Sequence, residues 1–505
     1  MDLEQMLSYQ WVIMTPEFII LGIATVLSIM DLFMPKNQDR KILGWIAFTA
    51  IIAAFVSLLG LVDLELTSIL YDTFRLDSYA KAFKLLLLIG AALVMLLAIS
   101  YEPKEEMKEY KGEFYYLFLT ALLGAMVMTS SGDLITLFVG LELLSLSSYI
   151  LAGIRKKHLP SNESAMKYVI NGGISTAVTL FGLSYVFGLT GSTNLTEITG
   201  VLSANFDTQQ IYLLGLSFLL VFVGLSFKLA SVPFHMWAPD VYQGAPTPVT
   251  AFLSVVSKTA GFVILLRILL SVYGAAPSGS STASYPMLIK MQDYIALLAG
   301  ATMIIGNVIA LRQRNVKRLF AYSSIAHAGY LLVAIAALSA FMFDAMWFYL
   351  GAYLFMNLGA FAIIQLISGK TDNEDISAFA GLYKRSPILA VSMGVFLLSL
   401  AGIPGTAGFI GKLNIFMGTF YVDPAHYVLA SVMIATTVIS YFYYFGIFTQ
   451  MFFRPAATEE KIKLPAGIIV VLVITVAATI VFGLFPNLAF DFLHNNFNGF
   501  SDMFQ

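Results

Sequence analysis

About fourteen stretches of roughly twenty mostly apolar residues follow one another along the chain, separated by short polar loops. A helix needs about 20 apolar residues to cross the hydrocarbon core of a bilayer. Lipid offers no partner to a free N–H or C=O, so such stretches must close their hydrogen bonds internally as helices. The expected fold is therefore an all-α polytopic membrane protein with about 14 transmembrane helices. The stretches run near 14–34, 42–62, 80–100, 114–131, 133–153, 166–190, 211–231, 247–273, 290–311, 319–340, 343–369, 387–420, 426–452 and 464–485. The loops are too short for a separate soluble domain. The N-terminal Met1-Asp2-Leu3-Glu4 lacks the positive region and small-residue cleavage site of a signal peptide, so the first stretch is expected to stay in the mature protein.

Composition removes several function classes. Apolar residues make up 59% and charged residues 11% of 505, and 28 Lys and Arg face 30 Asp and Glu for a net charge of -2. No basic excess supports nucleic-acid binding. The absence of cysteine excludes disulfides, thiolate metal sites, cysteine-ligated iron–sulfur clusters and cysteine nucleophiles. No phosphate-binding lysine loop, dinucleotide glycine fingerprint or HExxH motif occurs. The 22 Met and 41 Phe read as packing and lipid-facing residues.

Lysine and arginine collect in cytoplasmic loops. One alternating set of loops holds 19 of them: Lys36, Arg40, Lys41, Lys104, Lys108, Lys111, Arg155, Lys156, Lys157, Arg312, Arg314, Lys317, Arg318, Lys370, Lys384, Arg385, Arg454, Lys461 and Lys463. The other set holds four, Arg75, Lys81, Lys84 and Lys290. An even number of spans then leaves both termini on the non-cytoplasmic side.

Five cations fall inside spans: Lys167, Lys228, Lys258, Arg267 and Lys412. A charge at mid-membrane is expensive and belongs in a bundle interior or water-filled cavity. Arg267 lies late in its span, where it can snorkel to the interface. Lys167 opens its span and reads either as an interfacial anchor or as part of an internal path. Asp31, Asp133 and Asp344 lie at span ends and read as interfacial carboxylates.

Two spans carry the same interruption. The seventh reads Phe227-Lys228-Leu229-Ala230-Ser231-Val232-Pro233, and the twelfth Leu400-Ala401-Gly402-Ile403-Pro404-Gly405. Proline removes a donor and clashes with the preceding turn, so helix breaks are expected at Pro233 and Pro404. Paired interruptions with a nearby lysine point to an internal repeat and an ion path at its interface.

Polar stripes mark the same region. Glu142, Ser145 and Tyr149 share one helical face, as do Lys167, Asn171 and Ser175; Ser254 and Lys258; Ser323, His327 and Tyr330; and Asn357 and Gln365. A lysine in low dielectric gives up its proton readily, and a carboxylate nearby restores it. Glu142 with Lys228 is the expected exchanging pair, with Lys258, Lys412, Lys167 and His327 along the path. The plainer reading of each is a paired packing residue. His235, at the membrane edge after Pro233, reads as structural.

The stretch from Phe227 through His235-Met236-Trp237-Ala238-Pro239-Asp240-Val241-Tyr242-Gln243-Gly244 to Thr250 closely resembles the signature of the subunit N family of bacterial NADH-quinone oxidoreductase (respiratory complex I), an antiporter-like membrane family. So do Gly132 to Ser145 and Ala321 to Tyr330. The resemblance implies two inverted five-helix repeats with broken helices seven and twelve: residues 1–110 as three leading helices, 111–275 and 276–455 as the repeats, and 456–505 as a last helix and tail. It implies roles for Glu142, Lys228, Lys258 and Lys412 in proton translocation, with Lys167 and His327 on the connecting hydrophilic axis. It also implies a proton-translocating subunit of the bacterial plasma membrane, coupled to quinone reduction in neighbouring subunits. Flavin, iron–sulfur clusters and quinone would reside in those partners and no cofactor in this chain. Ile403-Pro404-Gly405 departs from the family, which usually has a second proline there. The alternative is a subunit of an Mrp-type cation/proton antiporter without redox coupling.

Overall fold

The computed structural model describes residues 7–35, 38–102, 110–203, 208–278, 286–371, 373–456 and 461–504. Lys36, Lys104 and Lys108 of the loop cations lie outside them, as does the side chain of Lys370. The membrane helices are α1 Thr15–Phe33, α2 Lys41–Leu59, α3 Ser78–Ser100, α4 Lys111–Thr129, α5 Leu134–Ala152, α6 Leu159–Thr190, α7 Thr208–Leu229, α8 Thr247–Ile268, α9 Gln292–Ala310, α10 Val316–Ala337, α11 Met342–Thr371, α12 Pro387–Ala401, α13 Tyr427–Phe453 and α14 Ala466–Leu484. Thirteen of the described helices are long and apolar enough to span a membrane, and α12 resumes as a second half-helix, Ala407–Gly418.

Four helices form the interior. α3, α8, α10 and α11 are buried along nearly their whole length, whereas α1, α2, α6, α9, α13 and α14 present most of their surface outward. Apolar faces alone do not register one helix against another in lipid, because lipid is as apolar as leucine. Side-chain donors do it here. Tyr79 Oη of α3 donates to Val263 O of α8 (2.8 Å), and Trp347 Nε1 and Gln365 Nε2 of α11 donate to Ala82 O and Leu97 O of α3 (both 3.0 Å). Close backbone approach does it elsewhere: a Cβ on Gly124 of α4 would stand 2.5 Å from the Leu144 nitrogen of α5, and one on Gly140 2.8 Å from that of Met128.

Both expected breaks occur. α7 stops at Leu229, Ala230 takes φ 57°, and a short helix, Trp237–Gly244, follows. The freed backbone finds partners: Val232 N donates to Thr302 Oγ1 (3.0 Å), and Trp237 Nε1 donates to Phe227 O (3.0 Å). α12 stops at Ala401, with Gly402 at φ 83° and Gly405 at φ 88°. Ser399 Oγ there accepts from Gly408 N (3.0 Å). Polar groups at both breaks thus find partners within the protein, while Pro233, Met236, Pro404 and Gly405 lie exposed.

Smaller elements close the end opposite the cation-rich loops. A hairpin pairs β1 Thr67–Ile69 with β2 Phe74–Leu76, and a helix, Leu195–Leu202, is capped by Asn194. Beyond α14, the helix Asn487–Phe497 leads into a tail whose Asp502 Oδ2 accepts from Ser78 N (2.7 Å), the first residue of α3.

Candidate functional site

Polar side chains meet inside the bundle where α5, α7, α8, α10, α11 and the second half of α12 converge. Lys228 is the penultimate residue of α7, and its Nζ donates to Ser145 Oγ of α5 (3.1 Å). Glu142 lies one turn away on the same face of α5, half-buried, and its Oε1 has no hydrogen-bond partner among the described residues. Glu142 and Lys228 therefore stand near each other without a direct ion pair. Gly261 of α8 packs on the Lys228 stem: a Cβ there would lie 3.3 Å from Lys228 Cγ. Three residues before Gly261 comes Lys258.

Lys258 is buried, and its Nζ donates to Ser324 O (2.6 Å) and Ser324 Oγ (2.5 Å) on α10. Tyr242 Oη, from the short helix after the first break, shares a hydrogen bond of 3.3 Å with the same hydroxyl. One turn along α10, His327 Nδ1 lies 2.5 Å from Tyr349 Oη and its Nε2 3.3 Å from Tyr444 Oη. Tyr444 Oη also shares a 2.5 Å bond with Ser323 Oγ. The Tyr330 ring lies edge-on to the His327 ring at 5.6 Å, and Lys412 Nζ sits over the Tyr330 ring, 4.8 Å from its centroid. Lys412 Nζ donates to Leu400 O (2.8 Å) and Ala401 O (3.2 Å), the uncapped carbonyls at the end of α12. A cation at that end also complements the helix dipole.

Four sequence-selected groups, Lys228, Lys258, His327 and Lys412, thus fall along one buried succession. A lysine ammonium donates three hydrogen bonds and a hydroxyl both donates and accepts, so alternation of the two can pass a proton. Lys167 lies apart, at the cation-rich end. Its side chain is 41% exposed and bridges Glu163 (2.7 Å) and Asp240 (2.5 Å), while Asp240 also binds Arg318 (2.5 Å). α6 begins earlier than its apolar stretch, at Leu159, and its Asn171 faces outward. Gln365 is absorbed in packing, as is His235, whose buried ring lies 6.5 Å from Tyr322.

Two expectations are corrected. Arg267 does not snorkel: it is 1% exposed, and its guanidinium makes two parallel bonds to Asp77 (2.8 and 2.9 Å) and a third to Thr129 O (2.9 Å). A bidentate carboxylate supplied by the loop before α3 makes burial cheaper than reaching out. Asp133 is not a solvated carboxylate either; it is buried, caps α5 at Ile135 N (2.7 Å) and accepts from Thr193 Oγ1 (2.5 Å).

Lys81 and Lys84, expected in a loop, are also corrected: both lie buried inside α3, where Lys84 forms an ion pair with Glu17 of α1 that sequence reading missed. The available signal was an acid inside the first apolar stretch, nineteen residues from Lys36, the nearest loop cation. Tyr349 and Tyr444 were missed as well, because a tyrosine in an apolar run carries no mark of where its hydroxyl points.

A family model described as NADH:quinone oxidoreductase/Mrp antiporter, TM, matches residues 131–440, which include Glu142, Lys228, Lys258, His327 and Lys412. NADH-quinone oxidoreductase subunit N of Anoxybacillus flavithermus is 66% identical over 505 residues, covering 100% of both chains. The protein of the same name from Bacillus anthracis is 56% identical over 100% of this chain and 99% of its own. Among solved structures, a chain of respiratory complex I from Thermus thermophilus with bound aureothin superposes with a TM-score of 0.77 at 30% identity, covering 94% of this chain and 99% of that one. A chain of the Mrp complex from Dietzia superposes with a TM-score of 0.81 at 17% identity, covering 100% and 98%, a likeness of fold alone. On the full-length relatives and the matched family model, the chain belongs to the family of NADH-quinone oxidoreductase subunit N.

Proposed function

We propose that this chain is a proton-translocating membrane subunit of an NADH:quinone oxidoreductase, in which quinone reduction in neighbouring subunits drives protonation changes along half-buried Glu142 and the buried groups Lys228, Lys258, His327 and Lys412. The observation that carries the reading is the run of amines, hydroxyls and one imidazole from Ser145 to Leu400, held inside the bundle. A buried ammonium is costly, and each here meets only neutral acceptors or, at Lys228, a carboxylate one turn removed. Such an amine is poised to shed its proton when a neighbouring charge changes. Lys167 joins the path at its cation-rich end by exchanging between Glu163 and Asp240.

The subunit acts in the bacterial plasma membrane with both termini on the non-cytoplasmic side, the arrangement that puts its 19 loop cations in the cytoplasm. Residues 111–275 and 276–455 act as the two repeats, each contributing one broken helix and its lysine. Electron carriers belong to the partner subunits, and the translocase activity is a property of the assembled complex.

Glu142→Ala and Lys228→Ala test the reading in the assembled complex, reconstituted in liposomes with NADH-driven proton transfer as the readout. Each is expected to lower proton transfer strongly while NADH oxidation persists; normal pumping with normal assembly would overturn it. Purification of the tagged chain in mild detergent separates the redox reading from the antiporter one. Co-migration with flavin and iron–sulfur subunits and with NADH-dependent quinone reduction is expected. Co-migration with small hydrophobic subunits alone moves the chain to the antiporter class.

A further inference from the structure

Away from the buried succession, at the opposite end of the bundle from the cation-rich loops, a second set of charges is sealed from water. Glu17 of α1 and Lys84 of α3 form an ion pair at 2% and 0% exposure. Asp77 and Arg267 pair beside them at 0% and 1%. Asp77, Lys81 and Lys84 follow at i, i+4 and i+7, so one face of α3 carries charge from its N-cap to two turns inside. Lys81 Nζ donates to Val62 O (3.0 Å) and Leu64 O (2.6 Å), and it faces Asp502, Asp77 and Asp63. Besides Glu17, the charges acting on Lys84 are Asp77 and Arg267.

The two buried pairs differ in kind. In the Asp77–Arg267 pair both carboxylate oxygens accept from the guanidinium, and Asp77 Oδ1 also accepts from Ala80 N (2.7 Å). Both Asp77 oxygens are thereby satisfied, and of the guanidinium only Nε lacks a partner among the described residues. In the Glu17–Lys84 pair neither carboxylate oxygen and no proton of the amine finds a further partner among the described residues, and the Phe74 ring covers the amine at 4.8 Å. Joining α1 to α3 needs no charge, since apolar residues of similar volume hold helices together without the desolvation cost. Burial opposes both charges of the Glu17–Lys84 pair, and their mutual attraction is what holds them there.

Resting on the function proposed above, we infer that Glu17 and Lys84 are a proton-exchanging pair, a second ionisable site that serves the end of the bundle on the side of Lys81. As the Nζ–H bond of Lys84 breaks, an O–H bond forms on Glu17, and the net charge of the pair stays zero. Uptake of one proton by the amine then leaves ammonium beside a neutral acid, and release of the acid proton restores the ion pair. One proton enters and one leaves per cycle.

The test uses the whole complex in liposomes and measures protons transferred per NADH oxidised. Glu17→Gln and Lys84→Met each leave one buried charge unpaired and lower the ratio under either a structural or an exchanging role. The double variant Glu17→Gln/Lys84→Met removes both charges and keeps the volume. A lowered ratio with NADH oxidation retained supports exchange, whereas a wild-type ratio overturns it. If the double variant does not assemble, Glu17→Asp decides: a shifted pH profile of proton transfer supports exchange and a superimposable one overturns it. Lys228→Ala is run alongside. Wild-type pumping by that variant would sink the parent reading, while the Glu17 result still stands on its own comparison with wild type.

Discussion

Lys412 reaches back across the break in its own membrane crossing and donates to the carbonyl oxygen of Leu400 at 2.8 Å. The broken helix and its lysine are therefore one device: the break frees carbonyls at the end of α12, and the amine from the second half-helix takes them. A hydrogen bond to a charged group is worth about 1.5–3 kcal/mol, which ties the conformation of the break to the charge on Lys412. Lys412→Met is expected to assemble, to lower the melting temperature of the purified complex and to lose most proton transfer. Undiminished pumping by the assembled variant would remove Lys412 from the path.

Gly402 tests the same device from the backbone. Its φ of 83° lies in the left-handed region, and a Cβ there would stand 3.0 Å from Lys412 Cδ. Gly402→Ala combines roughly 1–2 kcal/mol of backbone strain with displacement of the Lys412 stem. Proton transfer per NADH is expected to fall while NADH oxidation is retained, a split that a merely unstable variant would not give.

Lys258 makes both of its hydrogen bonds to Ser324, one to the carbonyl and one to the hydroxyl. Lys258→Arg keeps a positive charge, yet a guanidinium holds its proton at any accessible pH and its planar fork does not match this single-residue acceptor. The variant is expected to assemble and to pump poorly. Pumping at the wild-type rate would mean that charge, and not proton release, is what this position supplies.

Much of the architecture was legible because lipid imposes a local rule. Twenty apolar residues make a crossing wherever they stand, so α5 and α10 begin and end within about three residues of their stretches, and Pro233 and Pro404 mark both breaks. Depth and rotation follow no such rule. Ser145 and Glu142 lie on one face of α5, but a turn is about 5.4 Å of rise; which of them meets Lys228 depends on how far α7 slides before it breaks. Arg267 reads as a snorkelling residue because its partner Asp77 lies 190 positions earlier, in a loop that no periodicity joins to α8. Lys167 is marked in sequence only by its place at the start of its span, which leaves an anchor and a path role both open. α6 starts at Leu159 and holds Lys167 at the interface beside Asp240.

The Asp77–Arg267 pair links the start of α3 to α8 through two parallel hydrogen bonds. Removing one partner of a buried pair strands a charge and costs about 3–5 kcal/mol, whereas replacing both by apolar residues is close to neutral. Asp77→Leu and Arg267→Met are each expected to prevent assembly, read as loss of the full complex on a native gel, and the double variant to recover at least part of it. Failure of the double variant to exceed either single would show that the bonds to Thr129 O and Ala80 N matter more than charge balance.

Ala230 carries the break of α7 at φ 57°, a conformation that costs an L-residue with a Cβ roughly 1–2 kcal/mol relative to the right-handed helix. In α12 the corresponding job falls to Gly402, one residue later in the shared Leu-Ala-x-x-Pro pattern. The first break is thus strained where the second is relaxed, and surrounding contacts hold it: Val232 N on Thr302 Oγ1 and Trp237 Nε1 on Phe227 O. Ala230→Gly relieves that strain without touching a side chain of the succession. The gain is reduced by the roughly 0.5–1 kcal/mol of backbone entropy that glycine loses on ordering. The net expectation is a small rise in melting temperature of the purified complex with proton transfer per NADH unchanged. A fall in the ratio would mean that the strain at Ala230 is part of how Lys228 is held against Ser145, and that this break is tuned for function where its counterpart is not.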